Sequence, residues 1–233
     1  EANCVARLGT LTPAEAADCM RTLSNALPGF AQLRTTIAAA RSIQPPSGAM
    51  AGVWARNDQV SGVWNAPANT GIVMLTAPTL PITDAQQDGL NVPPDGLAVN
   101  AIRTFIGRGA TVWGARTLDG NSSDWRYIPV RRTVIYVEQS VRQALQSMVF
   151  QPNDARTWSM VSAMLGNFLH GMWAGGGLFG SKPSEAYAVQ CGMGVTMTGE
   201  DVLNGVLRVQ LLLAMTRPAE FIVLSFEQQM ASA

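Results

Sequence analysis

The stretch from Asn100 to Leu118 constrains the fold most strongly, because apolar side chains alternate with polar and basic ones on both sides of a Gly107-Arg108-Gly109 break. Such alternation is typical of half-buried strands, and glycine permits the backbone conformations of a tight turn. The stretch therefore predicts two short strands joined by a turn. Arg103, Arg108 and Arg116 are interpreted as structural arginines, since a guanidinium can bind carboxylates or carbonyls in two-point geometry.

Two long amphipathic helices are predicted after this stretch. Apolar residues recur at steps of three and four from Val130 to Phe150, and Pro152 ends that helix. Asn153 or Asp154 then caps a second helix that ends at the Gly175-Gly176-Gly177 run. Two shorter helices are predicted on either side of Leu27-Pro28-Gly29, the first of them capped by Thr12.

The remaining regular segments are predicted to be mostly strands: Ile72 to Leu75, Tyr187 to Cys191, Val206 to Met215 and Phe221 to Phe226, with a helical turn from Glu200 to Leu203. Together with the helices, they predict an α+β fold in which one mixed sheet, built from the Asn100 to Leu118 strands and the C-terminal strands, packs against the two long helices. The last strand is continuously apolar, so it needs a pairing partner to avoid becoming an unprotected edge.

Composition excludes several classes of function. The 16 basic and 16 acidic residues give a formal net charge of zero, so no global field attracts nucleic acid. No apolar run approaches the roughly 20 residues that span a bilayer, which predicts no direct membrane insertion. Cys4, Cys19 and Cys191 contain no CxxC pair and suggest neither a disulfide framework nor a zinc site.

Enzymatic motifs are present only in fragments, so no catalytic, cofactor-binding or metal-binding residue is predicted. Gly175, Gly177 and Gly180 satisfy GxGxxG, but they follow a predicted helix, whereas a dinucleotide fingerprint follows a strand. In the same segment Pro183 stands where a phosphate-binding loop needs Ser or Thr. His170, the only histidine, is interpreted as a packed helix residue, and an enzyme that uses it is a remote alternative.

Arginines interleaved with aromatic residues between Arg103 and Arg132 superficially resemble a nucleic-acid-binding face. The neutral net charge and the single lysine, Lys182, favour core and interface packing instead.

Five collinear segments together resemble one family, the contractile tail sheath proteins of phages, tailocins and phage-like injection systems. The resemblance covers Pro45 to about Gln228 and is to the C-terminal region of these proteins. The segments are PPSGAMAGVWARND (Pro45 to Asp58), GVWNAPAN (Gly62 to Asn69), NAIRTFIGRGATVWGARTL (Asn100 to Leu118), WRYIPVRRTVIYVEQSVRQALQSMVFQPND (Trp125 to Asp154) and RPAEFIVLSFEQ (Arg217 to Gln228).

The resemblance implies a structural protein without cofactors. Sheath subunits form stacked rings, a homo-oligomeric helical lattice around an inner tube protein, and contract to drive the tube through a cell envelope. Baseplate and tail terminator proteins are the other implied partners. The resemblance also implies synthesis in the bacterial cytoplasm and assembly into a phage tail or phage-like particle. A non-contractile tail or baseplate component of the same fold is the alternative.

The resemblance also assigns candidate residues to assembly. The inter-subunit strand, which would join a neighbour's sheet by β-augmentation, consists of Phe221, Ile222, Val223, Leu224, Ser225 and Phe226. The connector Thr216, Arg217 and Pro218 is the predicted hinge. A short helix that would contact the tube contributes Glu200, Asp201 and Asn204.

The resemblance to sheath proteins leads us to expect two domains. Residues 45–233 are assigned to the C-terminal sheath domain, and residues 1–44 to the remnant or edge of a helical N-terminal sheath region. The chain begins at Glu1 without an initiator methionine, so we interpret it as a segment of a longer protein.

Overall fold

The structure, a computed structural model, describes residues 10–221, and the chain divides into two compact units, Glu1–Gly48 and Ala49–Ala233. In the first unit, α1 (Pro13–Ala26) begins at the predicted Thr12 cap, whose hydroxyl accepts a hydrogen bond from the Glu15 amide. The predicted break is confirmed, because Gly29 adopts a left-handed conformation before α2 (Phe30–Ser42). The domain limits assigned from the sequence stay a prediction.

The remaining elements follow in chain order: α3 (Ser47–Ser61), β1 (Thr70–Gly71), α4 (Asp84–Asn91), β2 (Ala101–Phe105), β3 (Gly109–Trp113), α5 (Ile128–Leu145), a 3-10 turn (Gln146–Met148), α6 (Ala155–Ala174), α7 (Pro183–Ala186), β4 (Tyr187–Gln190), α8 (Gly199–Leu203) and β5 (Gln210–Leu213).

The predicted hairpin is confirmed: β2 and β3 pair antiparallel, and Gly107 and Gly109 take positive φ angles of 75° and 70° in the turn. Strand β1 pairs with the other edge of β3. The predicted strand from Ile72 to Leu75 is wrong, because pairing ends at β1 and the chain turns at Met74, whose φ is 64°. Its apolar run indicated burial, yet Met74 is fully exposed.

Both long helices are confirmed, and they form the core together with β4 and β5. Helix α5 ends at Leu145, earlier than predicted, and a 3-10 turn continues the chain. Helix α6 begins after Asp154, whose carboxylate accepts a hydrogen bond from the Thr157 amide at 2.9 Å. The buried core comprises Val137, Val141, Val161, Leu165, Leu169, Met172, Leu178 and Ala186.

The α+β class is confirmed, but the single mixed sheet is wrong. Strands β1, β3 and β2 form one sheet and β4 and β5 form another, and every pairing between these strands is antiparallel. The strand predicted from Val206 to Met215 is paired with β4 only from Gln210 to Leu213. Continuous hydrophobicity indicates that a strand is covered, but it does not identify the strand that pairs with it.

Most of the predicted inter-subunit strand, residues 222–226, lies outside the described residues. Phe221 is described, has no assigned strand or helix, and is 66% exposed. No helix within residues 10–221 is both long and apolar enough to cross a membrane.

Candidate assembly surface

Within residues 10–221, strand β5 is bonded to another strand along one edge only. The Ala214 amide donates to the Ala186 carbonyl at 2.8 Å, immediately after the antiparallel β4–β5 ladder. Because bonding alternates along an antiparallel strand, Leu212 directs its N–H and C=O groups towards β4. Leu211 and Leu213 direct theirs towards the opposite edge. In the described part of the chain no strand pairs with that edge.

An apolar groove of about 730 Å³ borders Leu211 and Leu213. Helix α6 packs against β4, whereas α5 provides the facing wall of the groove. The groove continues past Val195 and Thr196 as far as Leu207, so it follows β5 and the residues before it. Its α5 wall and the following turn contribute Val134, Val137, Glu138, Val141, Arg142, Leu145, Gln146 and Val149.

Glu220 is the centre of a polar cluster on the other side of the connector. Arg116 donates to it from Nε at 2.9 Å to Oε1 and from Nη2 at 2.7 Å to Oε2. Asn91 Nδ2 donates to Oε1 at 2.6 Å, and the Tyr127 hydroxyl donates to Oε2 at 3.1 Å. The side chain of Arg116 is only 4% exposed and that of Glu220 only 16%. The carboxylate therefore joins three separate segments of the unit.

The protonation states of Glu220, Arg116 and Tyr127 are determined by burial and by the two-point ion pair between Glu220 and Arg116. Burial opposes the charge on Glu220, but hydrogen bonds from Arg116 and Asn91 outweigh it and lower its pKa. The Glu220 hydrogen bond raises the pKa of Arg116. Burial and the Glu220 charge raise the pKa of Tyr127. At neutral pH the cluster is therefore a carboxylate, a guanidinium and a neutral phenol.

The predicted hinge residues, Thr216, Arg217 and Pro218, lie between two bonded points. Before them, Met215 forms a bridge with Leu178, and the Thr216 hydroxyl donates to the Gly176 carbonyl at 3.3 Å. Arg217 lies 3.7 Å from the Asp124 carboxylate, with both side chains exposed. Freedom at these residues stays a prediction.

The predicted tube-contact residues lie at α8, but Asp201 is already bonded within the chain. It closes a capping box with Thr198, and its Oδ1 accepts from Arg208 Nη2 at 2.9 Å. The Arg208 hydrogen bond, followed by those from Thr198, lowers the pKa of Asp201 to about 2. Glu200 and Asn204 are exposed. A role in tube contact stays a prediction for all three candidates.

The other two structural arginines hold neighbouring segments to the hairpin. Arg103 is 9% exposed, and its Nε donates to the Ile82 carbonyl at 3.0 Å. Arg108 is exposed and donates to the Asn69 side chain. Both guanidinium groups lie within 6 Å of the Phe105 ring, at 5.2 and 5.7 Å from its centroid. These contacts favour a packing role.

The GxGxxG glycines have a steric explanation. A Cβ atom at Gly177 would lie 2.9 Å from the Trp64 ring, and one at Gly175 would lie 3.2 Å from it. At Gly180, φ is 141° and a Cβ atom would lie 3.0 Å from the Ala186 amide nitrogen. The glycines therefore make room for an indole ring and for close backbone packing, which accounts for them without a nucleotide.

His170 is exposed at the surface of α6, not packed as the sequence predicted. The ring contacts Trp173 at a centroid distance of 5.4 Å, and Nδ1 lies 3.4 Å from the Tyr187 hydroxyl. A helix pattern that mixes apolar residues with one histidine does not fix which side of the helix the histidine occupies. Among residues 10–221 no cluster of His, Cys, Asp or Glu could hold a metal ion.

Sequence reasoning did not find Glu220, Asn91 or Tyr127. Glu220 is a lone carboxylate beside an apolar run, and Arg116 is a charged residue in a stretch with a buried pattern. Each is costly to bury alone, so the signal that could have paired them is their shared need for an opposite charge. Nothing local to Asn91 indicates a partner 129 residues away.

Comparison with known proteins agrees with the sequence resemblance. Residues 121–229 match the family described as the phage tail sheath C-terminal domain. The tail sheath protein of Vibrio phage KVP40 is 27% identical over 138 residues, which are 58% of this chain and 20% of that protein.

Solved structures match over a longer range. A chain of the PVC sheath complex in the contracted state, from an extracellular contractile injection system, is 46% identical over 79% of this chain, with a TM-score of 0.76. A chain of the anti-feeding prophage baseplate is 43% identical over 80%, with a TM-score of 0.74. A chain of the contracted anti-feeding prophage helical sheath is 44% identical over 79%, with a TM-score of 0.73.

This chain spans 51% of the length of each of those three solved chains. The likeness includes the α+β fold and extends well beyond the C-terminal segment that the family match covers. Residues 121–229 thus match the sheath C-terminal domain, and about four-fifths of the chain is similar to solved chains of contractile injection systems, in agreement with the resemblance of the five collinear segments.

Proposed function

We propose that this chain is a structural subunit of a contractile tail sheath, which polymerises around an inner tube and contracts to drive the tube through a cell envelope. The solved relatives support this, since two of them are described as sheaths in the contracted state. The observation on this chain that supports the proposal is the edge of β5 beside the α5 groove, with which no strand of residues 10–221 pairs. Such an edge suits a protein whose sheet is completed by another subunit.

The occupant of this groove is the segment Phe221 to Phe226 of a neighbouring copy. Its main chain would bond Leu211 and Leu213, and alternate side chains would enter the apolar groove. The lengths agree, because the segment has six residues and the groove borders β5 and its approach from Leu207 to Leu213. The segment is uncharged, which suits a groove whose lining is mostly apolar and has its charges at Glu138 and Arg142.

The remaining roles follow from this assembly. The inner tube protein, the baseplate and the tail terminator are the partners, and the chain itself catalyses no reaction. It is made in the bacterial cytoplasm and functions in a phage or phage-like particle. One relative comes from a baseplate structure, which supports a baseplate component as the second candidate. Polymer length separates the two candidates, since only a sheath forms long cylinders.

Electron microscopy of the chain alone and with its tube protein tests the proposal. We expect long hollow cylinders that shorten and widen in mild denaturant. Discrete particles at every concentration would contradict the sheath and favour the baseplate candidate.

A matched pair of variants tests the groove. Val149 lines the groove and is 59% exposed, whereas its neighbour Phe150 is fully exposed and does not line it. Val149→Glu places a charge where an apolar strand must dock, so we expect at least a tenfold higher critical concentration for assembly, about 1.4 kcal/mol or more. Phe150→Glu is the control. Equal effects of the two substitutions would show that strands do not dock in this groove.

A further inference from the structure

We propose that Glu220 is the anchor of the C-terminal segment: it holds the last described residues, Ala219 to Phe221, to the folded unit, with Arg116, Asn91 and Tyr127 as its receptor. The effect of this anchor on the spacing of assembled subunits rests on the sheath function proposed above. The anchor itself is a property of the isolated subunit.

The receptor is built from three separate segments. Asn91 is the last residue of α4, Arg116 follows β3, and Tyr127 immediately precedes α5. The backbone also joins two of them, because Arg116 and Tyr127 form an isolated antiparallel bridge. A short chain segment bonded to three such points cannot shift without breaking several bonds together.

Arg116 is positioned before Glu220 binds. Its amide donates to Asn100 Oδ1 at 2.8 Å, and Asn100 Nδ2 donates back to its carbonyl at 2.8 Å. Its Nη1 donates to the Gly120 carbonyl at 3.2 Å. The guanidinium is therefore fixed in place with two N–H groups directed at one carboxylate, the geometry of a strong two-point pair. Without Glu220 it would be a buried, unpaired charge.

The position of the anchor determines how much chain is available to reach a neighbour. With Glu220 bound, the segment starts at Phe221. Before Glu220, Arg217 makes an exposed ion pair with Asp124 at 3.7 Å, and the Thr216 hydroxyl donates to the Gly176 carbonyl. Once Glu220 is released and that exposed pair opens, the four residues from Arg217 to Glu220 add to the length of chain that can reach a neighbour. Extended residues span at most about 3.3–3.6 Å each, so release adds roughly 13 Å of slack. In a lattice linked by these segments, Glu220 thus sets the spacing between bodies and receives the load.

Backbone relaxation by nuclear magnetic resonance tests the anchor in the full chain, kept unassembled as judged by size-exclusion chromatography. We expect order parameters of about 0.85 for Ala219 to Phe221 in the unsubstituted chain and below about 0.6 in Glu220→Gln. Asp88→Asn, which neutralises an exposed carboxylate on α4, is the control. Low order parameters before substitution, or unchanged ones after it, would overturn the proposal.

Tyr127→Phe is a second variant that keeps the ring and removes one hydrogen bond to Glu220. We expect an intermediate loss of order at Phe221, so the test remains decisive if Glu220→Gln does not fold. An unchanged Phe221 in that variant would overturn the role of Tyr127 in the receptor.

Microscopy then separates the anchor from the assembly. If the unsubstituted chain forms cylinders, we expect those of Glu220→Gln to have variable subunit spacing, and uniform spacing would overturn the load-bearing role. If the unsubstituted chain forms no cylinders while the order parameters behave as expected, the anchor stands and the proposed sheath function fails.

Discussion

The two sheets of the second unit differ in how their outer strands are flanked. Beside β2, the segment leading into α4 is held by Arg103, which donates to the Ile82 carbonyl and pairs with Asp84 at 2.6 Å. Beside β5 there is an apolar groove and an edge with no strand partner in the described part of the chain. Both strands have one edge without a strand partner among residues 10–221, but a side chain of β2 ties a flanking segment to it, whereas β5 has an apolar groove beside its open edge.

The comparison shows that the hydrophobicity of an outer strand does not predict whether its own chain binds a segment beside it. Both outer strands carry buried or half-buried residues, but only β2 has polar side chains that bind a flanking segment. Arg103 binds a flanking segment of its own chain, whereas Arg142, which lines the groove beside β5, holds no such segment among residues 10–221. The predictions below test this difference, from the largest expected effect to the smallest.

Deleting Phe221 to Ala233 should have the largest effect. We expect a folded subunit that no longer polymerises, because the segment proposed to pair with β5 is removed while the Glu220 anchor remains. Sedimentation and microscopy measure assembly, and thermal unfolding measures the fold, which should be nearly unchanged. Normal cylinders from the truncated chain would contradict strand exchange at β5.

Removing the charge of Glu220 should destabilise the subunit next most strongly. At pH 7, Glu220→Gln should lower the free energy of unfolding by about 2–3 kcal/mol, since it leaves Arg116 buried without a counter-charge. Its folded-state pKa is lowered, so its ionised form contributes stability above the ordinary carboxyl pKa of 4.5. That contribution is lost as the pH falls through the lowered value.

The difference between the unsubstituted chain and Glu220→Gln should therefore be constant from pH 7 to about pH 5 and shrink below about pH 4.5. Urea unfolding across this range measures it. Asp88→Asn is the control, and a difference that grows on acidification would contradict the ionised pair.

Gly177→Ala should lower the free energy of unfolding by a smaller amount. Gly177 lies where the ring of Trp64, in the loop before β1, packs against the segment before β4. The added Cβ would lie 2.9 Å from the indole and 3.1 Å from the Met172 carbonyl oxygen, so we expect a cost of about 1–3 kcal/mol. Gly192→Ala is the matched control, since its Cβ would meet nothing within 4 Å. Similar unfolding midpoints for both variants would contradict the steric explanation of the glycine motif.

The parts of the fold that the sequence predicted are those decided locally. The α5 and α6 periodicity, the Thr12 and Asp154 caps and the Gly107 to Gly109 turn all depend on residues within a few positions of one another. Sheet membership was mispredicted because the 4-residue pairing of β4 with β5 depends on how the helices place them. The Glu220 cluster depends on contacts across 93 to 129 residues, for which sequence periodicity carries no signal.

The smallest expected effect on stability comes from substituting Asp201. Its ion pair with Arg208 lies just before β5, whereas the Glu220–Arg116 pair lies beside the other sheet. The two carboxylates are similarly covered, at 18% exposed for Asp201 and 16% for Glu220, but the Arg208 side chain is 59% exposed and that of Arg116 only 4%. Water and salt therefore screen the Asp201 pair more strongly. We expect Asp201→Asn to lower the unfolding midpoint slightly at low salt and not at 1 M salt. Glu220→Gln should lower it at both. Equal salt sensitivity of the two variants would show that burial does not distinguish the pairs, and the comparison of the two sheets would then depend on the groove beside β5 alone.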